Sequence, residues 1–415
     1  MLTEVDLQDI VTKLGKNCYI KLDVKFCKKL FKDVSNDIFP PYNNKLANFL
    51  GVKFYGKWNV SSRISRWYYL GILPLWSVNK ILRLSKYTWK DVENNLIGLR
   101  LHGGIKKIYV RPKFPIKLDK SMGIIIGHIL GDGSIGKKLF QPFYSNKDKQ
   151  LLNNFKVAME NIFGVNTRIW SQKSGNFKEK TKWIARLNSL EEIQEYKQCG
   201  LFYPKICGII LHAIFGKFAS GNHKEITKVI FETSEEFKAG LISAFYDDEC
   251  TIYVDSSEIR LFQENKRILE VIRDLLKQFK INSSKLHCYI RNGKRHYYFG
   301  IFGIENFKRF KEFIGLTSLR KSMLLNKLID FTEIGLKYKI QKGLIKSKLI
   351  NLLKEKSMTI TELLHELSVL DSHILWRRRS LCRCLGELRK NGLVNKNQLD
   401  NKIIWSLNEN SDNIS

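Results

Sequence analysis

The feature that most constrains this chain is an internal repeat in its central third, because self-similarity at a fixed spacing implies two copies of one structural unit. The segment Gly127-His128-Ile129-Leu130-Gly131-Asp132-Gly133 is matched by Ala244-Phe245-Tyr246-Asp247-Asp248-Glu249-Cys250, and Asp132 lies 117 residues before Glu249. After each copy the pattern predicts a strand, an amphipathic helix, a pair of strands, a further helix and a Gly-Leu pair. The sequence therefore predicts two related α/β units of similar length.

Small residues on the two predicted motif helices indicate close helix packing. Gly127 and Gly131 lie one helical turn apart, and Ala244 is the matching small residue of the second copy. If the helices cross side by side, Asp132 and Glu249 arrive at adjacent helix ends. Two neighbouring carboxylates repel each other, so they require a raised pKa, a nearby cation or a bound metal. Oxygen ligands at a solvent-open helix end suit Mg²⁺, which makes these two residues candidate metal ligands.

The charge of the chain indicates the partner of this site. Lys and Arg number 71 against 40 Asp and Glu, which gives a net charge of +31 and a pI near 9.7. A surplus of this size points to a polyanion, and nucleic acid is the commonest one. Phosphodiester hydrolysis by metal-activated water is the chemistry that follows. Lys205 and Lys321 stand at matching places late in each copy and are candidate catalytic residues that orient water or stabilise phosphate charge; the alternative for each is a solvated helix end.

Composition excludes several other classes of protein. With 44% hydrophobic and 12% aromatic residues, the chain is folded rather than disordered. Its longest apolar runs, 122–126 and 206–211, fall far short of the roughly 20 residues that cross a bilayer, and no signal peptide is visible. The eight cysteines lack paired CxxC spacing, which argues against structural zinc. We expect a cytoplasmic, DNA-associated prokaryotic protein with no membrane partner.

The two motifs, 125–133 and 242–250, resemble those of the LAGLIDADG (dodecapeptide) homing endonucleases, specifically the single-chain type with two motifs. The resemblance covers about residues 120 to 335. It implies an α+β fold of two pseudo-symmetric αββαββα halves, with the motif helices at their interface and two saddle-shaped antiparallel sheets in the DNA major groove. It also implies that Asp132 and Glu249 bind Mg²⁺ and that both strands are cut. Cys250 departs from the usual glycine, and a left-handed backbone there would cost about 1–2 kcal/mol.

Two breaks in the sequence divide the chain into three predicted parts, 1–115, 116–340 and 341–415. Two prolines at residues 112 and 115 interrupt any helix at the first boundary, and a polar stretch at 337–348 marks the second. Within the central part, the two halves are about 116–225 and 226–340.

Both flanking parts resemble small, mostly helical DNA-binding modules. Residues 45–52 and 61–69 look like a helix-turn-helix, with Arg63 and Arg66 on its second helix. Residues 344–407 follow the element order of a winged helix, whose third helix enters the major groove. The candidate phosphate contacts on this helix are Arg377, Arg378, Arg379 and Arg383. The alternatives are a generic helical pattern for the first module and a protein-binding charged bundle for the second.

The function that these observations favour is a monomeric, Mg²⁺-dependent, site-specific endonuclease of the homing type that cuts double-stranded DNA. Two alternatives stay open: a non-cleaving DNA-binding regulator on the same scaffold, and an intron RNA maturase. The presence of both acidic residues favours the nuclease. Because the chain begins Met1-Leu2 and ends Asn413-Ile414-Ser415, without the junctions that protein splicing requires, we expect a free-standing protein.

Overall fold

The N-terminal part begins with a short strand that pairs with the segment leading into the central region. The computed structural model describes residues 1–35, 50–51, 60–101, 109–136, 140–172, 183–192, 198–216, 227–337, 342–370, 378–399 and 402–408. The N-terminal elements are β1 Glu4–Val5, α1 Leu7–Ile10, β2 Cys18–Leu22, α2 Val24–Ser35, α3 Val60–Leu70, β3 Ile72–Pro74, α4 Leu75–Leu82, α5 Trp89–Asn94, β4 Leu96–Leu101 and β5 Ile116–Lys117. β1 pairs with β5, and β2 lies between β3 and β4 in a three-stranded antiparallel sheet. The sequence analysis predicted a helical domain here and missed these strands.

The predicted helix-turn-helix falls largely outside the described residues, which omit 36–49 and 52–59. Its second helix is present as α3, where Arg66 is exposed; the side chain of Arg63 lies outside the described part. Buried apolar residues between Val5 and Ile329 form one continuous cluster. The N-terminal part therefore shares its hydrophobic core with the central region.

The first half of the central region is a five-stranded antiparallel sheet with helices on one face. Its elements are α6 Lys120–Leu130, β6 Gly133–Ile135, β7 Pro142–Asn146, α7 Lys149–Phe163, β8 Arg168–Gln172, β9 Trp183–Leu187, β10 Cys199–Phe202, α8 Lys205–Phe215 and α9 Val229–Glu232. The strand order is β6-β7-β10-β8-β9. Helix α7 is amphipathic, and its buried side chains, among them Leu152 and Phe155, cover the sheet.

The second half repeats this arrangement with four strands, in the order β11-β12-β14-β13. Its elements are α10 Glu235–Glu249, β11 Cys250–Tyr253, β12 Glu258–Gln263, α11 Lys266–Gln278, β13 His287–Arg291, β14 Lys294–Phe302, α12 Ile304–Arg309, a π-helical turn Phe310–Ile314 and α13 Leu319–Lys337. A two-residue turn of Asn292 and Gly293, both with positive φ, connects β13 and β14. The fold class predicted from the sequence is confirmed: the central region is a pair of related α+β halves.

Helices α6 and α10 pack against each other along their length because small residues line the contact. A Cβ atom at Gly127 would meet the carbonyl oxygen of Leu241 and would lie 2.8 Å from the Cβ of Ala244. Gly123 faces Phe237 in the same way, and Gly131 faces Asp248. The three predicted interface residues, Gly127, Gly131 and Ala244, are therefore all at the helix contact.

The C-terminal part has its own hydrophobic core, which is separate from that of the rest of the chain. Its elements are α14 Lys342–Glu355, β15 Met358–Thr359, α15 Ile360–Leu370, α16 Arg378–Lys390, β16 Val394–Leu399 and β17 Lys402–Leu407, with sheet order β15-β17-β16. This is the element order predicted for a winged helix. Arg378 and Arg383 are exposed on α16, whereas Arg377 and the side chain of Arg379 lie outside the described residues. Among the helices described, none is both long and apolar enough to cross a membrane.

Candidate active site at the ends of the motif helices

The two motif carboxylates lie at neighbouring ends of the packed helices. Asp132 directly follows Gly131, the residue that caps α6, and Glu249 is the last residue of α10. The backbone N–H of Asp132 lies 3.4 Å from Oδ2 of Asp248, the residue before Glu249. Asp132 is exposed and Glu249 is half-buried. The two helix ends that carry Asp132 and Glu249 are thus adjacent, and joint metal binding by the two carboxylates stays a prediction.

Each carboxylate is held by a side-chain amide that the sequence analysis missed. Asn146 Nδ2 donates to Asp132 Oδ2 at 3.1 Å, and Gln263 Nε2 donates to Glu249 Oε1 at 2.9 Å. The amide oxygens are fixed in turn by backbone N–H groups, from Lys147 to Asn146 and from Glu264 to Gln263, both at 2.8 Å. Both amides lie 14 residues after their carboxylate, at the end of a strand, so the 117-residue repeat contained the signal for them.

A buried polar network lies beneath Asp132 and crosses the helix interface. His128 Nδ1 lies 3.0 Å from Asp248 Oδ2, and the Tyr144 hydroxyl donates to Asp248 Oδ1 at 2.8 Å. The side chains of His128 and Asp248 are completely buried. Burial, followed by the Asp248 charge, raises the pKa of Tyr144 well above its usual value, so its hydroxyl stays protonated and donates. This network was not predicted from the sequence.

At the second helix end, Asp247 and Lys321 connect α10 to α13. The Asp247 carboxylate accepts hydrogen bonds from the backbone N–H groups of Thr317 and Ser318, at 2.8 and 3.1 Å. Burial raises the pKa of Asp247 to about 6, and these two donors oppose that rise. Lys321 is buried, and its Nζ donates to the carbonyl oxygens of Tyr246 and Asp247 at 3.1 and 2.6 Å. The lysine therefore caps the negative end of the α10 dipole.

Lys205 and Lys321 both lie near the start of the helix that follows a Gly-Leu pair, but their surroundings differ. Lys205 is exposed at the first residue of α8, the helix that directly follows the last strand of the first half. Lys321 is the third residue of α13, which begins at Leu319, and its side chain is buried. The Gly-Leu pairs before the two lysines also differ, since Gly200 is in strand β10 and Gly315 is in a loop. A catalytic role for either lysine stays a prediction.

Cys250 does not strain the backbone where the family usually has glycine. Its φ of −92° and ψ of 155° are those of an extended strand, so the expected cost of a left-handed conformation does not arise. At the corresponding position of the first half, glycine is required because there is no room for a side chain: a Cβ atom on Gly133 would lie 2.7 Å from the carbonyl oxygen of His128. Burial raises the pKa of the Cys250 thiol to about 11, which keeps it protonated near neutral pH.

The residues present fit a divalent cation. Two helices end side by side at Asp132 and Glu249, so the negative ends of two helix dipoles add to two carboxylates. A phosphate near this point would be repelled by these charges, and a bound cation would offset them. Mg²⁺ accepts one or two carboxylates and completes its shell with water and phosphate oxygens. Among the described residues, no group of three or more His, Cys, Asp or Glu side chains forms a ready-made metal cage.

A basic cleft lies between the N-terminal part and the first-half sheet. It has a volume of about 590 Å³ and is lined by Tyr109, Arg111, Gly164, Val165, Asn166, Thr167, Arg168, Trp170 and Arg186. Trp170 and Arg186 are cross-strand neighbours on β8 and β9. Ile169 points into the core, so Arg168 and Trp170 lie on the outer face of the sheet. These described lining residues include three arginines and no carboxylate, as a phosphate-binding surface requires.

The outer face of the second-half sheet carries an arginine that is held in place. Arg260 donates from Nε and Nη2 to the two carboxylate oxygens of Glu258, at 2.8 and 2.6 Å. Its guanidinium also lies 4.9 Å from the ring centre of Tyr253 and 5.0 Å from that of Tyr298. These residues line a cleft of about 570 Å³ together with Arg378 of α16. The two sheets therefore differ in how their arginines are placed. The described lining of the first cleft contains no carboxylate, whereas Arg260 in the second cleft is paired with Glu258.

Comparison with known proteins identifies the central region. A family profile described as a LAGLIDADG-like domain matches residues 119–198 and again residues 236–315. The central region is a pair of LAGLIDADG-like domains. This assignment confirms the predicted family, and each match contains one motif helix with its carboxylate and amide partner.

The chain also resembles a curated protein and several solved structures. It is 26% identical over 215 residues to the DNA-directed RNA polymerase subunit Rpo1C of Methanocaldococcus jannaschii, which covers 52% of this chain but only 22% of that protein. The homing endonuclease I-DmoI in complex with DNA and Mn has 14% identity and a TM-score of 0.33, covering 48% of this chain and 98% of I-DmoI. Full-length DUF199/WhiA from Thermatoga maritima has 13% identity and a TM-score of 0.32, covering 66% and 92%.

Proposed function

We propose that the protein is a site-specific endonuclease of the homing type that cuts both strands of duplex DNA with Mg²⁺ held by Asp132 and Glu249. The observation that carries this proposal is the pair of carboxylates at adjacent helix ends, each oriented by an amide in the same relation, Asn146 for one and Gln263 for the other. Because both halves belong to one chain, we also propose that the active species is a monomer.

The residues of the chain would divide the work as follows. Asp132 and Glu249 hold the metal, and Asn146 and Gln263 keep one oxygen of each carboxylate in a fixed direction. Bound Mg²⁺ would supply activation of a water molecule and stabilisation of the leaving oxygen. Lys321 reduces the negative field at the end of α10 through its two carbonyl contacts, so that a phosphodiester can approach.

The basic surfaces support duplex DNA as the substrate. The outer faces of both sheets carry arginines, Arg168 and Arg186 on the first and Arg260 on the second, and α16 adds Arg378 and Arg383. Phosphate contacts of this kind position a protein on DNA, whereas base contacts select the sequence. The flanking modules would then lengthen the target site, and binding should weaken steeply with added salt.

The test is selection on a randomised duplex library, carried out with Mg²⁺ and, separately, with Ca²⁺ as a non-cleaving substitute. Sequencing of both cut ends and bound fragments should give one long motif cut on both strands in Mg²⁺ only. Asp132→Asn and Glu249→Gln should each abolish cleavage and leave binding in Ca²⁺ unchanged. Cleavage by either variant at the wild-type rate would remove that residue from the mechanism.

Two other outcomes would replace the proposal. Enrichment of one duplex motif without cutting in Mg²⁺ would identify a non-cleaving DNA-binding regulator on the same scaffold. Preferential binding of folded RNA over duplex DNA in a parallel competition would identify an RNA maturase. The winged-helix-like C-terminal part, with its separate core, is compatible with the regulator, so the Mg²⁺ arm of the experiment decides between them.

A further inference from the structure

The two halves differ beneath their carboxylates at three positions related by the 117-residue repeat. The first half uses His128, Tyr144 and, from across the interface, Asp248; the corresponding positions are Phe245, Leu261 and Gly131. Phe245 and Leu261 are fully buried apolar residues. Gly131 has no side chain, and Asp248 occupies the space beside it: a Cβ at Gly131 would lie 2.5 Å from Asp248 Oδ2. At these three positions the first half therefore has polar side chains where the second half has apolar residues or none.

Asp248 has the contacts of a residue that positions others. Its Oδ2 faces His128 Nδ1 at 3.0 Å and the N–H of Asp132 at 3.4 Å. Its Oδ1 accepts from the Tyr144 hydroxyl at 2.8 Å and from Asn146 Nδ2 at 3.3 Å. Four donors surround two oxygens of a completely buried side chain. Such a carboxylate is satisfied within the protein, and a metal ligand would instead have to face the open site, as Asp132 does.

We propose that Asp248, supported by His128 and Tyr144, is a positioning residue that fixes Asp132 and makes the two metal-binding carboxylates unequal. It acts at two points on Asp132: directly on the backbone N–H, and through Asn146, whose amide contacts Asp132, Asp248 and the Tyr144 hydroxyl. Glu249 is attached through a longer side chain and has apolar Phe245 and Leu261 in the corresponding places. This inference rests on the proposed function, because it assumes that Asp132 binds the metal.

The reason for a cross-interface contact is geometric. Asp248 belongs to α10, whereas His128, Asp132, Tyr144 and Asn146 all belong to the first half. A displacement of α10 along α6 would move the Asp248 carboxylate away from all four donors together. The position of Asp132 is thereby tied to the packing of the two motif helices, and a buried carboxylate without these donors would be costly.

The test of this positioning role replaces the three polar residues with side chains like those found at the corresponding positions of the second half. In the triple variant His128→Phe, Tyr144→Leu, Asp248→Ala, the polar support is replaced by side chains like those beneath Glu249, so no buried charge is left unpaired. We expect this variant to fold and to bind its selected DNA in Ca²⁺. Calorimetric titration of the DNA complex with Mn²⁺ should show weaker binding by about tenfold or more, the size typical for loss of residues that orient metal ligands.

Strand-resolved cleavage provides the second readout. With the two DNA strands labelled separately, the triple variant should slow one strand more than the other, which changes the ratio of the two rate constants by about tenfold. The matched control is Ile272→Ala, which truncates a fully buried side chain of α11. It should lower stability while leaving both the strand ratio and the Mn²⁺ affinity unchanged. If the triple variant does not fold, Tyr144→Phe removes one donor and should shift both readouts in the same direction by a smaller factor.

The outcomes separate this inference from the proposed function. A wild-type complex that binds no Mn²⁺ would overturn both. Wild-type Mn²⁺ binding together with unchanged affinity and strand ratio in the folded variant would overturn the positioning role alone. A uniform loss on both strands, shared by the Ile272→Ala control, would assign these residues to stability only.

Discussion

The two halves of the central region agree at the carboxylates and their amide partners and differ in most of what surrounds them. Asp132 with Asn146, and Glu249 with Gln263, have the same spacing, strand position and backbone anchoring. The sheets, by contrast, have five strands and four among the described residues, and the last carbonyls of α10 accept hydrogen bonds from the buried Lys321. The comparison shows that two copies of a repeat can orient their carboxylates in the same way while the residues around those carboxylates differ.

The largest effect that tests whether the two halves are equivalent is expected when the two amide side chains are removed one at a time. Asn146→Ala and Gln263→Ala should each lower the cleavage rate by about 10–100-fold, because each leaves a carboxylate free to rotate. Single-turnover cleavage of the selected duplex measures both. Asn306→Ala is the control, since it removes an amide that donates to the Phe302 carbonyl outside the motif helices. If one amide variant cuts at the wild-type rate, the two halves are not equivalent in function.

The helix contact offers a second test of equivalence, with a smaller effect. Gly127 and Ala244 correspond in the repeat, but Gly127→Ala should destabilise the protein by about 1–3 kcal/mol, because the new methyl group overlaps the Leu241 carbonyl. The reverse change, Ala244→Gly, should cost about 1 kcal/mol through helix propensity alone. Urea unfolding compares the two. A neutral or stabilising Gly127→Ala would mean that the helices lie further apart than described.

Substitution of Lys321 and substitution of Lys205 should have clearly different effects on the free energy of unfolding. Lys321→Met removes a buried ammonium group from the end of α10 and should cost about 1–2 kcal/mol. Lys205→Met removes an exposed charge at the start of α8 and should change stability by no more than about 0.5 kcal/mol. Both retain the aliphatic stem, so packing is comparable. Equal losses of stability in urea unfolding would mean that the two lysines are equivalent, as their spacing suggests.

The sequence was sufficient to predict the elements that obey the repeat. The motif helices and their facing small residues follow from a 117-residue spacing, and the structure has them in place; the pairing of the two carboxylates at a metal stays a prediction. Asn146 and Gln263 could have been found by the same spacing, since each ends the strand before an amphipathic helix. The two lysines show the limit of this reasoning. Each lies near the start of the helix after its Gly-Leu pair, but Lys321 is buried against two carbonyl oxygens whereas Lys205 is exposed, and spacing alone does not reveal that difference.

The Asp248 network was beyond sequence reasoning for a different reason. It depends on which side chain of α10 lies over Gly131, and that is decided by how far the two helices have slid along each other. His128, Tyr144 and Asp248 have no shared spacing in the chain; they meet only through the fold. Residues that break the symmetry of a repeat are invisible to a search for that symmetry.

The smallest effect we predict compares the arginines of the two sheets. Arg168 lies in a cleft whose described lining has no carboxylate, whereas Arg260 is already paired with Glu258. If Arg168 contacts a phosphate, Arg168→Gln should reduce the slope of log affinity against log salt by about 0.9 on duplex DNA, because one fewer counterion is released. The joint change Glu258→Gln, Arg260→Gln removes a charge pair without altering net charge and should leave the slope unchanged.

Fluorescence anisotropy with a labelled duplex of arbitrary sequence measures both, since this contribution does not depend on the target site. An unchanged slope for Arg168→Gln would mean that the first-half cleft does not contact the backbone, and a reduced slope for the pair would mean that Arg260 leaves Glu258 for a phosphate when DNA binds.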